Sequence, residues 1–133
     1  MGNVNEKIIV KGFLLSGYEK EDYDFVLSYV SKDYLDHSPA GARSNEDVVA
    51  ILKKVHKAFS NLHITILDLF GEDSIVATRV RFEGIQVGEY MGIQATHKKV
   101  TWEALENFRL ANGKIVESWG YWPMDQIKAM LSE

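Results

Sequence analysis

Cysteine is absent from the 133 residues, which removes disulfide frameworks, thiolate zinc sites, iron–sulfur clusters and cysteine nucleophiles together. No stretch approaches the ~20 apolar residues that cross a bilayer. The opening MGNVNEKIIV has no basic flank running into an apolar segment of signal length, so a cytoplasmic protein without membrane contact is expected. N-myristoylation at Gly2 is not expected either, because the motif wants Ser or Thr where Glu6 stands. There is no Gly-x-Ser-x-Gly elbow, no Gly-x-Gly-x-x-Gly and no Walker loop, which leaves nucleophilic catalysis and nucleotide cofactors without support. No two of the four histidines have the i, i+4 spacing of a metal motif. No metal and no cofactor are expected. A formal charge of −4 with scattered basic residues repels phosphate backbones, so nucleic acid is not an expected partner.

What is present is a core. At 46% hydrophobic residues, the chain can bury enough surface for one domain spanning 1–133. Apolar residues at Ile8, Ile9, Phe13 and Leu14 predict a first helix over 5–15, with Gly17 as its stop. Asp22 caps a second, short helix carrying Tyr23, Val26, Leu27 and Val30, after which KDYLDHSPAG reads as a turn-rich loop. Ser44 caps a third helix, with Asp47 as its capping-box acid and Val48, Ile51, Leu52, Val55 and Phe59 as its stripe. Lys53, Lys54 and Lys57 read as its solvated side. After Asn61 the period changes to that of sheet. LHITILDLF, GEDSIVATRVRFEG, KKVTWEALENFRLANGK and KIVESWGYW predict four long strands, the last two joined by a hairpin at Asn112 and Gly113. A short helix, MDQIKAML, closes the chain, with Asp125 expected to cap it. Helices followed by a meander of long strands is the α+β order. It implies a cone-shaped, curved antiparallel or mixed sheet wrapped around the N-terminal helices, with room for a cavity inside.

DYLDHSP, AFSNLHITILDLF, RFEGIQVGEYMGIQATHKKV and NGKIVESW together resemble the SnoaL-like polyketide cyclases of the nuclear transport factor 2-like superfamily. Gly84, Gly88, Tyr90, Gly92, Ile93, Thr96, Gly113, Lys114, Ile115, Glu117 and Trp119 match the family's pattern residue by residue. The resemblance implies the cone fold and cofactor-free ring closure or isomerisation of a small hydrophobic carbonyl compound by proton transfer. It also locates a departure: the family's aspartate, four residues after the tryptophan, is here Pro123, which cannot exchange a proton. His97 stands where the family has Gly.

Another ionisable group is therefore needed. Along KVTWEALENFRL one face carries Val100, Trp102, Ala104, Glu106 and Phe108. A lone carboxylate in such a wall has its charged form disfavoured, the condition for acid or base work near neutral pH. Glu106 either plays that role or faces a dimer interface or solvent and pairs with a lysine or arginine. His37 either shuttles a proton at the cone's mouth, with Asp36 to orient it, or holds the shape of its own loop. His56 and His63 read as structural or exposed. Trp102, Phe108, Trp119, Tyr121, Trp122 and Tyr90 are candidates for the walls of a substrate pocket, each with plain core packing as the alternative. The loop from Gly88 to Gly92 would form a lip over the entrance. Arg79 and Arg81 read as outward or interfacial. A homodimer through the sheet face is expected. Two further readings stay open: a binder of a hydrophobic ligand that has lost the catalytic acid, and a dimerisation module whose sheet face does the work.

Overall fold

The computed structural model describes residues 4–133; Gly2 lies outside them. Helix α1 (Val4–Phe13) buries Val10 and Phe13. The coil does not stop at Gly17 but continues over Leu14–Glu19 as a π-helical turn, a form concentrated at functional sites. Its wider spacing shows in the Lys20 N–H, which donates to the Leu15 carbonyl at 3.0 Å. Helix α2 (Tyr23–Tyr29) begins where the Asp22 side chain accepts from the Phe25 N–H.

The segment after α2, expected to be loop, is strand β1 (Val30–Asp36) for most of its length. Its buried residues, Val30 and Tyr34, are four apart with exposed Lys32 and Asp33 between them. The period-two alternation that reveals a strand is missing. Helix α3 (Asn45–Ala58) follows the sequence closely. The Ser44 hydroxyl accepts from the Asp47 N–H at 3.1 Å, and Asp47 reaches back to the Arg43 N–H at 2.9 Å, so two of the helix-start donors are satisfied.

Strands β2 (Phe59–Glu72), β3 (Ile75–Gln86), β4 (Lys99–Ala111) and β5 (Lys114–Tyr121) complete a curved, unclosed sheet in the order β1-β5-β4-β3-β2. The β1–β5 pair is parallel and the others are antiparallel. Helix α4 (Met124–Ser132) buries Ile127 and Leu131 and packs on β4. Pro123, not Asp125, occupies its N-cap position; Asp125 sits exposed in the first turn.

Strand β4 settles which face is which. Val100, Trp102, Ala104, Glu106, Phe108 and Leu110 are all buried toward the helices, and every residue between them is exposed. Arg79 lies on the outer face, ion-paired to Asp68 at 2.7 Å and to Glu103 at 3.0 Å, with Arg81 3.6 Å from the same Glu103.

The β4–β5 register is one that the sequence did not suggest. Asn112 and Gly113 have φ of 51° and 77°, the double left-handed geometry of a two-residue type I′ turn. A bulge then shifts the ladder between Arg109 and Leu110, so that Arg109 pairs with Glu117, Asn107 with Trp119 and Glu106 with Gly120. The bulge inserts Val116, a residue with no turn or bulge signature of its own.

The β3–β4 connection is fastened by the Gln86 side chain and by the Val87 and Gly88 N–H groups, which donate to the Ala58 carbonyl. Gln86, fully buried, donates to the carbonyls of Gly88 and Ile93 and accepts from both the N–H and the hydroxyl of Thr96. Within this loop Tyr90 and Ile93 exchange both backbone hydrogen bonds at 2.9 Å in a miniature hairpin. Gly88 lets the loop lie on the end of α3: a Cβ there would stand 2.4 Å from the Lys57 carbonyl oxygen. Gly88→Ala should therefore destabilise the fold by about 2 kcal/mol or more, read as a lowered denaturation midpoint. An unchanged midpoint would mean that the loop does not sit on α3.

Candidate functional site

Between the concave face of the sheet and α3 lies a cavity of about 410 Å³. Phe13, Val48, Ile51, Leu52 and Val55 supply much of its apolar wall. Glu106 is one of two acids lining it, and only 7% exposed. The inward alternation of β4 puts it there, opposite Gly120 on β5. A side chain at position 120 would begin 3.4 Å from Glu106 Cγ and 3.5 Å from Oε2. One donor reaches the carboxyl, the Trp122 indole N–H at 3.4 Å from Oε1. That is too long to offset lost hydration. Burial consequently lifts the Glu106 pKa to about 7, against a smaller lowering by Trp122 and with Asp36 adding to the rise. A carboxyl group poised there can give or take a proton at neutral pH.

A second polar cluster lies along β1 and β5. Asp36 Oδ1 accepts from the Ser38 N–H at 2.8 Å, and Oδ2 accepts from the Ser38 hydroxyl at 2.7 Å. The Ser118 hydroxyl reaches Oδ1 at 3.4 Å and is itself bonded to the Tyr34 hydroxyl. Asp36, Ser38, Ser118 and Tyr34 all line the cavity. Tyr18 enters from the π-helical turn, its ring edge-on to Phe82 at 5.1 Å and its carbonyl accepting from His56 Nε2 at 2.7 Å. Its hydroxyl makes no hydrogen bond among the described residues. Burial and then the nearby Glu106 push its pKa well up, so Tyr18 stays a neutral donor. That bond also fixes the His56 tautomer. Nε2 carries the proton, and Nδ1 accepts from the Tyr23 hydroxyl at 2.7 Å.

The residues singled out from sequence separate into three groups. Glu106, Trp122, Tyr121 and Tyr90 line the cavity together. Tyr90 is held by its hairpin and packs on Phe59 at 5.0 Å. Trp102 and Phe108 are buried behind the wall without lining it. Trp102 stacks on Phe82 at 5.4 Å, and its indole N–H has no partner among the described residues. His37 and Trp119 lie outside the cavity altogether. The His37 ring stacks on Trp119 at 5.0 Å, and its Nε2 is 2.7 Å from Glu117. Arg109 lies 5.6 Å from the Trp119 ring and also pairs with Glu117. The His37 hydrogen bond, more than Arg109, holds the Glu117 carboxyl below its ordinary range. Asp36 therefore turns into the cavity while its neighbour His37 turns out, the expected alternation of a strand end.

The sequence reading missed Tyr18, Tyr34, Ser38 and Ser118. Tyr34 and Asp36 are two apart in DYLDH and Ser118 and Gly120 two apart in ESWGY. That spacing was the available signal, once DYLDH is taken as strand. Nothing in SGYE announces a π-helical turn. Among the described residues no group of three His, Asp or Glu is placed to hold a metal ion, and no helix is long and apolar enough to cross a membrane.

Comparison with known proteins adds family. The family model described as SnoaL-like polyketide cyclase matches residues 8–130. No curated protein matches. Among solved structures, AclR from Streptomyces galilaeus, provisionally described as a hydroxylase, is 26% identical with a TM-score of 0.82, covering 96% of each chain. TsrD from Streptomyces laurentii is 21% identical with a TM-score of 0.89, covering 98% of this chain and 97% of its own. A SnoaL-like polyketide cyclase from Agrobacterium tumefaciens is 16% identical with a TM-score of 0.78, covering 92% and 94%.

The buried carboxyl has a consequence for stability. An acid whose pKa is raised on folding binds its proton more tightly in the native state, so its stabilising effect is complete below the unfolded value of 4.5 and is lost as pH rises through about 7. Above neutrality the charged form costs about 3 kcal/mol relative to the protonated one. Glu106→Gln should thus match the wild type in melting temperature near pH 4 and exceed it by several degrees at pH 8. Equal melting temperatures at both pH values would show that the carboxyl is hydrated.

Proposed function

The chain belongs to the SnoaL-like polyketide cyclase family, and from that premise we propose that it carries out cofactor-free acid/base chemistry on a small hydrophobic carbonyl compound held in the cavity. The observation that carries this reading is Glu106, a carboxyl group only 7% exposed with a single donor at 3.4 Å, set against an otherwise largely apolar wall. Trp122 and Tyr90 would contact the substrate, whereas Tyr121, paired with outward Leu105 and 65% exposed, only edges the cavity from the outer face. His37 does not face the cavity, being engaged with Glu117 and Trp119 on the outer side, and we assign it no catalytic step. A cavity of about 410 Å³ suits a molecule of two or three fused rings or a folded chain of like size. Proton removal next to a carbonyl, followed by proton return or carbon–carbon closure, is the reaction class that one such acid supports.

The second reading is a binder without turnover, favoured by one observation: Pro123 stands where the family's aspartate is expected. Exchange of the acidic protons of β-tetralone in heavy water, followed by NMR, separates the two. On the catalytic reading, Glu106→Gln lowers the exchange rate about 100-fold or more and leaves the affinity, read by quenching of tryptophan fluorescence, nearly unchanged. Binding without exchange in both proteins would establish the second reading.

We also propose a homodimer through the outer sheet face, supported by two large apolar residues in the open there, Leu105 at 56% and Tyr121 at 65% exposure. Both border a shallow groove with Arg79, Glu103 and Pro123. Sedimentation should give twice the chain mass, and Leu105→Lys should reduce it to the single chain. A single-chain mass for the wild type would remove the dimer from the proposal.

A further inference from the structure

The sheet holds two carboxyl groups at a set spacing. Asp36 pairs with Ser118 across β1–β5, and Gly120 pairs with Glu106 across β5–β4. The two acids are thus two strands apart, about 10 Å at the usual strand spacing, and offset by two residues along the strands, with both lining the cavity. Between them lie Ser118 and then Gly120, whose missing side chain leaves bare backbone. A flat molecule laid over Gly120 meets one carboxyl group at each edge.

The two acids are equipped differently. Three donors converge on Asp36: the Ser38 N–H, the Ser38 hydroxyl and, at longer range, the Ser118 hydroxyl. That is the company a carboxylate anion keeps. Glu106 has the single long bond from Trp122 and shares the cavity lining with Tyr18 from the π-helical turn, Tyr34 and Asp36 from β1 and Tyr90 from the β3–β4 loop. Thr78 of β3 bonds its backbone carbonyl and leaves its carboxyl alone. Among the described residues, no lysine or arginine lines the cavity, so only the long Trp122 bond favours a charged Glu106.

We propose that Asp36 is the base of this site and Glu106 its acid, acting on opposite edges of one flat enolisable carbonyl compound. This rests on the catalytic reading above and assigns its direction. Asp36 takes a proton from the carbon beside the carbonyl. The C–H electron pair becomes the double bond of an enol, and the carbonyl oxygen takes the proton of Glu106. In isomerisation of a compound with a second double bond conjugated to the enol, Asp36 returns its proton to the far carbon of that dienol, the double bond shifts toward the carbonyl, and the enol hydroxyl returns its own proton to Glu106. In ring closure, the enol carbon attacks a second carbonyl carbon. The new alkoxide oxygen takes the proton held by Asp36, and Glu106 recovers the enol proton. Both routes restore both acids with no co-reactant.

The test is the rate of β-tetralone exchange as a function of pH in the wild type, Asp36→Asn, Asp36→Glu and Glu106→Gln. Asparagine keeps the oxygen that the Ser38 N–H needs, so the end of β1 should hold its shape. Expected are a wild-type rate that falls as pH rises through about 7, loss of that alkaline limb in Glu106→Gln, and a drop of about 100-fold or more in Asp36→Asn. Affinity by fluorescence quenching should be unchanged in Asp36→Asn, and Asp36→Glu should recover part of the rate. A purely structural role for Asp36 would move affinity and melting temperature with the rate. Exchange by Asp36→Asn near the wild-type level, or a wild-type rate that rises through neutral pH, overturns the assignment while Glu106-dependent catalysis stands. Absence of exchange in the wild type overturns both.

Discussion

A carboxyl group set into an apolar wall must be neutral or must recover elsewhere the hydration it has lost. Glu106 meets this condition by holding its proton up to about pH 7, and the rest of the cavity is arranged around that state. Its neighbours in the cavity are hydroxyl groups, an indole N–H and a second acid, with no cation among the described residues. A lysine or arginine in the same place would have made a buried ion pair and fixed Glu106 as an anion. The bulge in β5 belongs to the same solution. It brings Gly120 opposite Glu106, and a side chain at position 120 would begin within 3.4 Å of the carboxyl-bearing arm. Register, glycine and acid form one unit, whose cost in stability above neutral pH falls where an acid/base reaction would need it.

The sheet makes this arrangement possible by separating its faces sharply. On β4 every inward residue is buried and every outward one exposed. The outer face of β3 and β4 holds charge pairs in water, where they contribute little, while the inner face holds core and cavity. His37 and Asp36 show the separation at the scale of one peptide bond. One side chain joins an exposed cluster with Trp119, Glu117 and Arg109, and the other joins the cavity.

Much of this was legible where a single period or cap dominates. Helix α3 carries its start in Ser44 and Asp47, and β4 declares itself by alternation, with Glu106 conspicuous as the one acid on an apolar face. The β4–β5 turn is written in Asn112 and Gly113. Three features were not legible, each for a physical reason. Strand β1 hides because its pairing is parallel to a distant segment and its buried residues do not alternate. The π-helical turn over Leu14–Glu19 carries no local signal in its own residues. The bulge at Val116 changes register without any residue that demands it. These three decide where Tyr18, Tyr34, Asp36 and Ser118 lie, so half of the polar cavity was out of reach of pattern reading. The family's glycine positions, by contrast, acquire reasons. Gly88 lies on the α3 carbonyl end, and His97, in place of a glycine, has a φ of 60°, left-handed backbone that glycine takes freely and other residues adopt less often.

Pro123 also finds its explanation in the sheet. Beyond β5, Trp122 turns inward, where its N–H reaches Glu106. Pro123 lies instead beside the outer groove with Arg79, Glu103 and Leu105, and its carbonyl accepts from the Ile127 N–H in the first turn of α4. On this backbone position 123 borders the outer groove and is not part of the cavity wall, so the loss of an ionisable group there takes nothing from the wall around Glu106. Asp125, exposed in the first turn of α4, does not replace it. The acids that remain in the cavity come from strands, Glu106 from the middle of β4 and Asp36 from the end of β1. Side chains on strands are held more rigidly than those on a loop before a terminal helix. A proton-transfer site here rests on the sheet, and its geometry is as well defined as the strand pairing that sets it.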